Sequence, residues 1–219
     1  MDKTILFKSY RKAITVNKDF KILEICKDRN VLDVGCVGQD SNYDSDSWLH
    51  KKISNVSNSL YGVDINQAGI DTMIRKDFKV LHFDQLIEAS LKFEVIIMAD
   101  VIEHVNEPVD FLYRYSKFLD DNGSIVVTTP NSNRGINFIT ILLSNDYNMN
   151  LEHTIWLCPK TFTEIVSRAE LKITQFYWVS QYYDFNSLKF LNKIKFSFAY
   201  LLSRFRSNFN HNFMFVLTK

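Results

Sequence analysis

Residues 30–40 read Asn-Val-Leu-Asp-Val-Gly-Cys-Val-Gly-Gln-Asp. Val31, Leu32 and Val34 form a short apolar run with one acid, Asp33, inside it; Gly35 and Gly38 then break the run, and polar residues follow. An apolar run closed by glycines is the pattern of a buried parallel strand that ends in a tight turn. Glycine tolerates positive φ in such a turn and lets a ligand approach the backbone with no Cβ in the way. The chain has only six glycines, so this pair marks a local demand.

Outward from this turn the chain alternates strands and helices. A helix is expected over 44–57, with Asp44 or Ser45 as its cap and Trp48 packed in the core. His50 is expected on its solvent side. Strand 59–64 closes on Asp64, a helix follows at 66–76, and strand 79–82 runs into Phe83-Asp84. Residues 93–99, FEVIIMA, are almost continuously apolar, as suits a central strand buried on both faces. Pro108 opens a helix over 108–120, followed by strand 124–129 and a helix at 134–145. A helix at 159–169 has Thr161 and Glu164 as a capping box. Strands at 172–179 and 211–218 complete an α/β pattern.

Charge constrains the ligand. A dinucleotide turn uses G-x-G-x-x-G, with bare amides facing pyrophosphate. Here the spacing is G-x-x-G, with Asp33 just before it. A carboxylate there repels a diphosphate and suits a cationic head such as that of S-adenosylmethionine (SAM), which carries an ammonium and a sulfonium. Asp64, on the next strand end, faces the same crevice. It could take both hydroxyls of an adenosine ribose or cap the following helix. Phe83 and Asp84 stand where side chains would meet adenine and its amine, and Phe83 fits the core equally well. Asp100, Glu103 and His104 lie at the carboxyl edge of the central strand, where open α/β sheets bind ligands.

The segments 31–36 (VLDVGC), 60–65 (LYGVDI), 93–112 (FEVIIMADVIEHVNEPVDFL) and 123–131 (GSIVVTTPN) follow one another as in class I SAM-dependent methyltransferases, which the chain resembles. The likeness is strongest to the small-molecule and glycan branch, which includes the ubiquinone-pathway O-methyltransferases. Residues 152–171 resemble the segment after that family's fifth strand. The resemblance implies one domain over 1–219, with 1–29 as a helical cover. Its fold would be a Rossmann-like, seven-stranded, mostly parallel sheet with an antiparallel last strand and helices on both faces. It implies Asp33, Gly35, Cys36 and Gly38 around the methionine part of SAM, Asp64 and Ile65 at the ribose, and Phe83 and Asp84 at the adenine. Asp100 would lie near the sulfonium and the acceptor. Val37 and Gln39 depart from the family, standing where glycine is common.

Asp100, Glu103 and His104 resemble the carboxylate-x-x-Glu-His motif that is metal-associated in the ubiquinone-pathway enzymes. The residues alone fit a helix start with local hydrogen bonds, and no metal is assigned. In the family, the region before helix 159–169 covers the acceptor pocket. His153 is therefore the first candidate for general base, ahead of His104, with Asp100 beside them. A neutral imidazole has the right pKa to take a hydroxyl proton near pH 7.

Composition bounds the function. A chain of 219 residues suits one domain. A net charge of +1 gives no global pull toward nucleic acid or anionic membrane, and no Asn/Asp-Pro-Pro-aromatic run for a flipped base occurs. Cys26, Cys36 and Cys158 lack paired metal spacing and suggest reduced thiols in the cytoplasm. No signal peptide or membrane-spanning run is evident.

One segment stands apart. Over 185–208, Leu188, Leu191, Ile194, Phe198, Leu201, Leu202 and Phe205 share one helical face and Lys189, Lys193 and Arg204 the other, with no acid after Asp184. This is either a helix packed on the domain with a solvated basic face, or a surface for peripheral membrane contact or a lipid-linked or phosphorylated acceptor. The expected function is methyl transfer from SAM to a small-molecule, glycan or lipid-linked acceptor, at a hydroxyl. The rivals are an NAD(P)-dependent oxidoreductase and a non-catalytic protein that keeps the fold. The G-x-x-G turn, Asp33 and a ribose acid about 30 residues on, where a dinucleotide site has it at about 20, oppose the oxidoreductase.

Overall fold

The computed structural model describes residues 3–38, 42–146, 150–180 and 190–219. Gln39 and Asp40 of the turn, residues 185–189 of the basic segment and the Leu191 side chain lie outside the described residues. In chain order the first elements are α1 (Lys3–Lys12), β1 (Thr15–Asn17), α2 (Lys18–Cys26), β2 (Asn30–Val34), α3 (Leu49–Ser54) and β3 (Ser59–Asp64). Next come α4 (Gln67–Ile74), β4 (Val80–His82), α5 (Phe83–Ala89), β5 (Phe93–Ala99) and a 3-10 turn, Ile102–His104. The chain continues through α6 (Pro108–Ser116), β6 (Leu119–Pro130), α7 (Gly135–Ser144), α8 (Pro159–Arg168), β7 (Lys172–Ser180), α9 (Phe190–Phe205) and β8 (Asn212–Thr218).

The strands form one sheet in the order β1-β7-β8-β6-β5-β2-β3-β4. β8 runs antiparallel to both β6 and β7, and every other pairing is parallel. Strand order reverses between β2 and β5, and that point opens the crevice in which such sheets bind ligands. Both faces are covered. Leu32, Val34, Ile96 and Met98 enter one apolar cluster, while Val31, Val95 and Ile97 enter another with Ile22, Cys26 and Ile53. That is the alternation of a pleated strand. Each such side chain contributes roughly 1.5–3 kcal/mol on burial.

The sheet has eight strands where seven were expected. The extra strand, β1, lies inside the 1–29 segment read as purely helical. The β-branched pair Thr15-Val16 lies parallel on β7, and the Trp178 amide donates to the Ile14 carbonyl at 3.0 Å. The Trp178 indole donates to the Tyr10 carbonyl at 2.7 Å, which ties α1 to the same edge. The added strand covers a sheet edge that would otherwise be open.

Two local expectations are corrected. Helix 44–57 shrinks to α3, whose N-cap is Trp48 and not Asp44 or Ser45. The Ser45 hydroxyl instead accepts from the Ser47 amide at 3.1 Å, a local bond that competes with helix. At α8 the box is formed by Cys158 and Thr161, because Pro159 starts the helix. Glu164 pairs with Lys3 and Arg168.

α9 differs in its orientation. It packs on α7 through Phe196, Ala199 and Leu202. Of the apolar stripe, Leu202 packs while Ile194, Phe198, Leu201 and Phe205 are exposed, and Lys195 reaches Ser144 of α7. Among the described residues no helix is long and apolar enough to cross a membrane.

Gly62 offers a test of the packing beneath the β2 turn. A Cβ there would lie 2.5 Å from the Cys36 sulfur and 3.1 Å from His50 Cε1. Gly62→Ala is expected to cost about 1–3 kcal/mol through overpacking, seen as a lowered Tm. Part of the loss should return in a Cys36→Ala background, which a double-mutant cycle measures.

Candidate active site

The turn after β2 has two glycines with positive φ, +75° at Gly35 and +65° at Gly38. They are required for different reasons. A Cβ on Gly35 would strike Val101 at 2.7 Å, whereas one on Gly38 would meet nothing within 4 Å among the described residues. Asp64 holds the turn from the neighbouring strand. Its Oδ2 accepts from the Val37 amide at 2.9 Å, and its Oδ1 accepts from the amides of Ile65 at 2.8 Å and Asn66 at 3.0 Å. The cap of α4 is Asn66, whose side chain accepts from Gly69. Of the two roles open to Asp64, helix capping is thus taken by its neighbour. A carboxylate has about four acceptor positions, and three face backbone amides.

Asp33, expected at the crevice, is buried at 4% exposure and accepts from His50 Nδ1 at 2.8 Å. His50, expected toward solvent, is 1% exposed. Its ring lies 5.0 Å from that of Trp48 and 5.6 Å from that of Phe78. The short α3 folds over the turn, and its first residues drop under it: the Trp48 indole donates to the Cys36 carbonyl at 3.2 Å. Cys36 is itself buried, and burial pushes its thiol pKa upward. Asp33, His50 and Cys36 therefore form the floor of the turn. Ile65 is exposed at its rim.

On the adenine side, Phe83 packs on Tyr115 and Phe118, with ring centroids at 5.2 and 6.2 Å. Asp84 is exposed in the first turn of α5, 3.4 Å from His82. Nothing in the contacts of either aims it at a shared ligand.

Asp100 occupies the end of β5 in the left-handed region, at φ +56°. A non-glycine residue holds that conformation only where its surroundings over-determine it. Here the Asp100 amide donates to the Thr128 carbonyl, and the carboxylate accepts from Lys18 Nζ at 2.6 Å, Thr128 Oγ1 at 3.0 Å and Asn212 Nδ2 at 3.2 Å. Burial alone would lower the Lys18 pKa, but Asp100 outweighs it and the net shift is upward. Three side-chain donors, one of them a cation, thus hold the Asp100 carboxylate in place at the edge of the sheet. Lys18 carries no motif; the fold of α2 delivers it.

The next turn assembles a second cluster. Glu103 is 2% exposed; its Oε2 accepts from Thr129 at 2.9 Å, and its Oε1 has no hydrogen-bond partner among the described residues. Burial, then the negative Asp100, pushes its pKa up to about 8. His153 Nε2 stands 4.0 Å from that orphan oxygen, and the His153 and His104 rings meet edge-to-face at 4.7 Å. Thr154 pins this segment in place, donating from its amide to the Glu103 carbonyl at 2.9 Å and from its hydroxyl to the Glu103 and Val105 carbonyls. Burial, followed by His104 and Arg134, lowers the His153 pKa, so the imidazole is neutral at neutral pH. Glu103, His104 and His153 each offer one ligand atom, all within 4.8 Å of one another, a set that could hold a divalent cation. No metal had been assigned to them from sequence.

A parallel sheet carrying one reversed strand, with a glycine turn and an acid on adjacent strand ends, has the architecture of the class I methyltransferases. A SAM-dependent methyltransferase from Archaeoglobus fulgidus superposes with a TM-score of 0.57 at 15% identity, covering 100% of both chains. The [4+2]-cyclase SpnF superposes at 0.57 and 12% identity, covering 92% of this chain and 80% of its own, so the fold alone does not fix the reaction. The ubiquinone biosynthesis O-methyltransferase of Pelagibacter ubique is 28% identical over 125 residues, 52% of this chain and 48% of that enzyme. The chain spans about half the length of the curated relatives it matches. Residues 10–175 match the methyltransferase-domain family, and the chain belongs to it. SAM is the cofactor this family implies.

Two measurements probe the site. His50→Ala leaves the Asp33 carboxylate buried without its partner, which should cost roughly 3–5 kcal/mol in denaturant unfolding; Asp33→Asn in the same chain should recover part of it. Glu103 gives a pH signature in chelator-treated protein. Below its ordinary pKa of 4.5 it is protonated in both states, whereas up to about 8 only the folded state keeps the proton. Its contribution to stability is therefore full below pH 4.5, falls as pH rises toward 8 and levels off above that. Glu103→Gln should flatten this slope, raising the Tm at pH 8 more than at pH 5.

Proposed function

We propose that this protein transfers a methyl group from SAM to a hydroxyl of a small-molecule, glycan or lipid-linked acceptor. The observation that carries this reading is the Gly35–Gly38 turn at the switch point of the sheet, with positive φ at both glycines and braced by Asp64. These residues fit a ligand with a cationic head and no phosphate: an acid stands on the adjacent strand end, and the turn is too short for a diphosphate cradle. Asp64 would hold the ribose through its remaining acceptor position, and Ile65 would line the rim.

When bound, SAM supplies a methyl group on a sulfonium, an excellent leaving group, so alignment of the acceptor carries most of the rate. The chain's part is to aim the acceptor and take its proton. His153 is suited to the second task. Its imidazole is neutral, and it lies at the carboxyl edge on the β5–β6 side of the turn, against Glu103 and His104. In that reaction His153 would accept the proton that the acceptor hydroxyl gives up on methylation. Glu103, protonated near neutral pH, stands 4.0 Å from that ring. The same three side chains could hold a divalent ion, so assays are run with and without chelator.

Calorimetry with SAM, S-adenosylhomocysteine and NADH tests the cofactor. Micromolar binding of the two sulfur ligands is expected, weakened tenfold or more by Asp64→Ala. NADH binding in their place would transfer the assignment to an oxidoreductase. Once an acceptor is in hand, His153→Ala should lower kcat about 10²–10⁴-fold and leave the S-adenosylhomocysteine Kd within twofold; unchanged kcat would remove His153 from the mechanism.

A further inference from the structure

A cavity of about 870 Å³ lies at the carboxyl edge of the sheet, on the side away from the glycine turn. It is walled by the ends of α1 and α9, the start of α7 and the approach to β8. Its volume falls within the range of small-molecule sites, roughly 300–1,000 Å³. Four arginines line it, Arg11, Arg134, Arg204 and Arg206, and no carboxylate does among the described residues. In a chain with 26 basic and 25 acidic residues, so one-sided a lining is a local segregation of charge. Sequence contributes to it, since residues 185–219 contain no acid.

The floor of the cavity is built. Arg134 is half-buried, and its guanidinium donates to Asn137 Oδ1 at 2.8 Å and to His211 Nε2 at 3.1 Å. For Nε2 to accept, His211 must carry its proton on Nδ1, which donates to Asn212 Oδ1 at 2.5 Å. Burial, then Arg134, holds the His211 pKa down at about 4, so the ring stays neutral and keeps this role. Arg134 therefore stands as a fixed cation at the base, with Arg204 and Arg206 exposed on the wall formed by α9. α7 begins at the same place without a side-chain cap and adds the positive end of its dipole. Arg134 also lines the small cleft that holds Glu103 and His153, so the cavity and the proposed base share one side chain.

We propose that this cavity binds a diphosphate group of the methyl acceptor, presenting the attached moiety to the Glu103–His153 corner. A carboxylate brings one negative charge, too few for four guanidiniums. Phosphoryl groups carry more charge and match the guanidinium fork in bidentate geometry. The glycine turn has Asp64 beside it and no arginine in its contacts among the described residues, whereas the acceptor side gathers four. The proposal rests on the methyl-transfer reading of the adjoining site. Two sources share this chemistry. A nucleoside diphosphate would use the cavity alone. A polyprenyl diphosphate would also use the exposed Phe198, Leu201 and Phe205 of α9.

Calorimetry on the full chain tests it with inorganic pyrophosphate, UDP and farnesyl diphosphate, beside S-adenosylhomocysteine as a separate channel and benzoate as a singly charged control. Pyrophosphate is expected to bind, with the Kd raised at least tenfold in Arg204→Gln/Arg206→Gln and unchanged in Arg75→Gln, a charge removed elsewhere. S-adenosylhomocysteine affinity should not move in any of these variants, which also reports that they are folded. Farnesyl diphosphate binding tighter than UDP assigns the lipid source, and the reverse assigns the nucleotide. The proposal is overturned if S-adenosylhomocysteine binds while pyrophosphate does not, if the double variant binds pyrophosphate as the parent does, or if benzoate binds equally well. Arginine-dependent pyrophosphate binding without any S-adenosylhomocysteine binding would uphold the anion site and remove the methyl-transfer reading beneath it.

Discussion

Three backbone amides converge on one carboxylate, and the crevice depends on that convergence. Asp64 reaches from the end of β3 to the Val37 amide in the turn after β2 while holding the two amides that lead into α4. Parallel strands do not by themselves fix the loops at their ends, because their hydrogen bonds stop where the strands stop. One acid with three donors carries the register of the sheet one turn beyond it. Beneath, the buried Asp33–His50 pair and the Trp48 indole brace the same turn from below. A loop held from above and below keeps its amides in place before any ligand arrives, which lowers the ordering cost of binding.

The sheet was legible because its signals are local. An apolar run of strand length at 93–99, glycines at the end of another and acids at strand ends follow from pleating, buried backbone and turn geometry, all within a few residues. The missed features depend on which segments meet. His50 looks like a polar residue on a solvent face until α3 is seen to be short and folded onto Asp33. Lys18 gives no signal, since its partner lies 82 residues away. Residues 15–17 are too few to register as a strand without β7 beside them. On α9, periodicity correctly found a stripe of apolar side chains but not which way it faces, because helical spacing is blind to the neighbour. The packing contact uses Leu202 at the margin of that stripe together with Phe196 and Ala199 beside it.

Two kinds of site chemistry sit on one edge with opposite electrostatics. Around the glycine turn the charged groups are acids. On the far side they are arginines, and between them runs a hydrogen-bonded series: Arg134 to His211, His211 to Asn212, Asn212 to Asp100, with Lys18 closing it. Each step has a defined donor and acceptor, so the side chains are oriented in one sense from the arginine to the acid. A connected hydrogen-bond network in a part-buried setting restrains its members. It fixes the separation between the two halves of the edge.

The reversal of β8 has a further consequence. Connections between parallel strands must travel from the carboxyl edge back to the amino edge, so most of their length lies far from the ligands. The link from β7 to β8 does not travel. It leaves at Ser180 and re-enters at Asn212, and both ends lie at the carboxyl edge. That connection, α9 included, can lengthen, shorten or be exchanged without disturbing any strand crossing. The reversed strand turns one loop of the fold into an interchangeable module at the carboxyl edge, which can vary while the half of the sheet that carries the glycine turn stays the same.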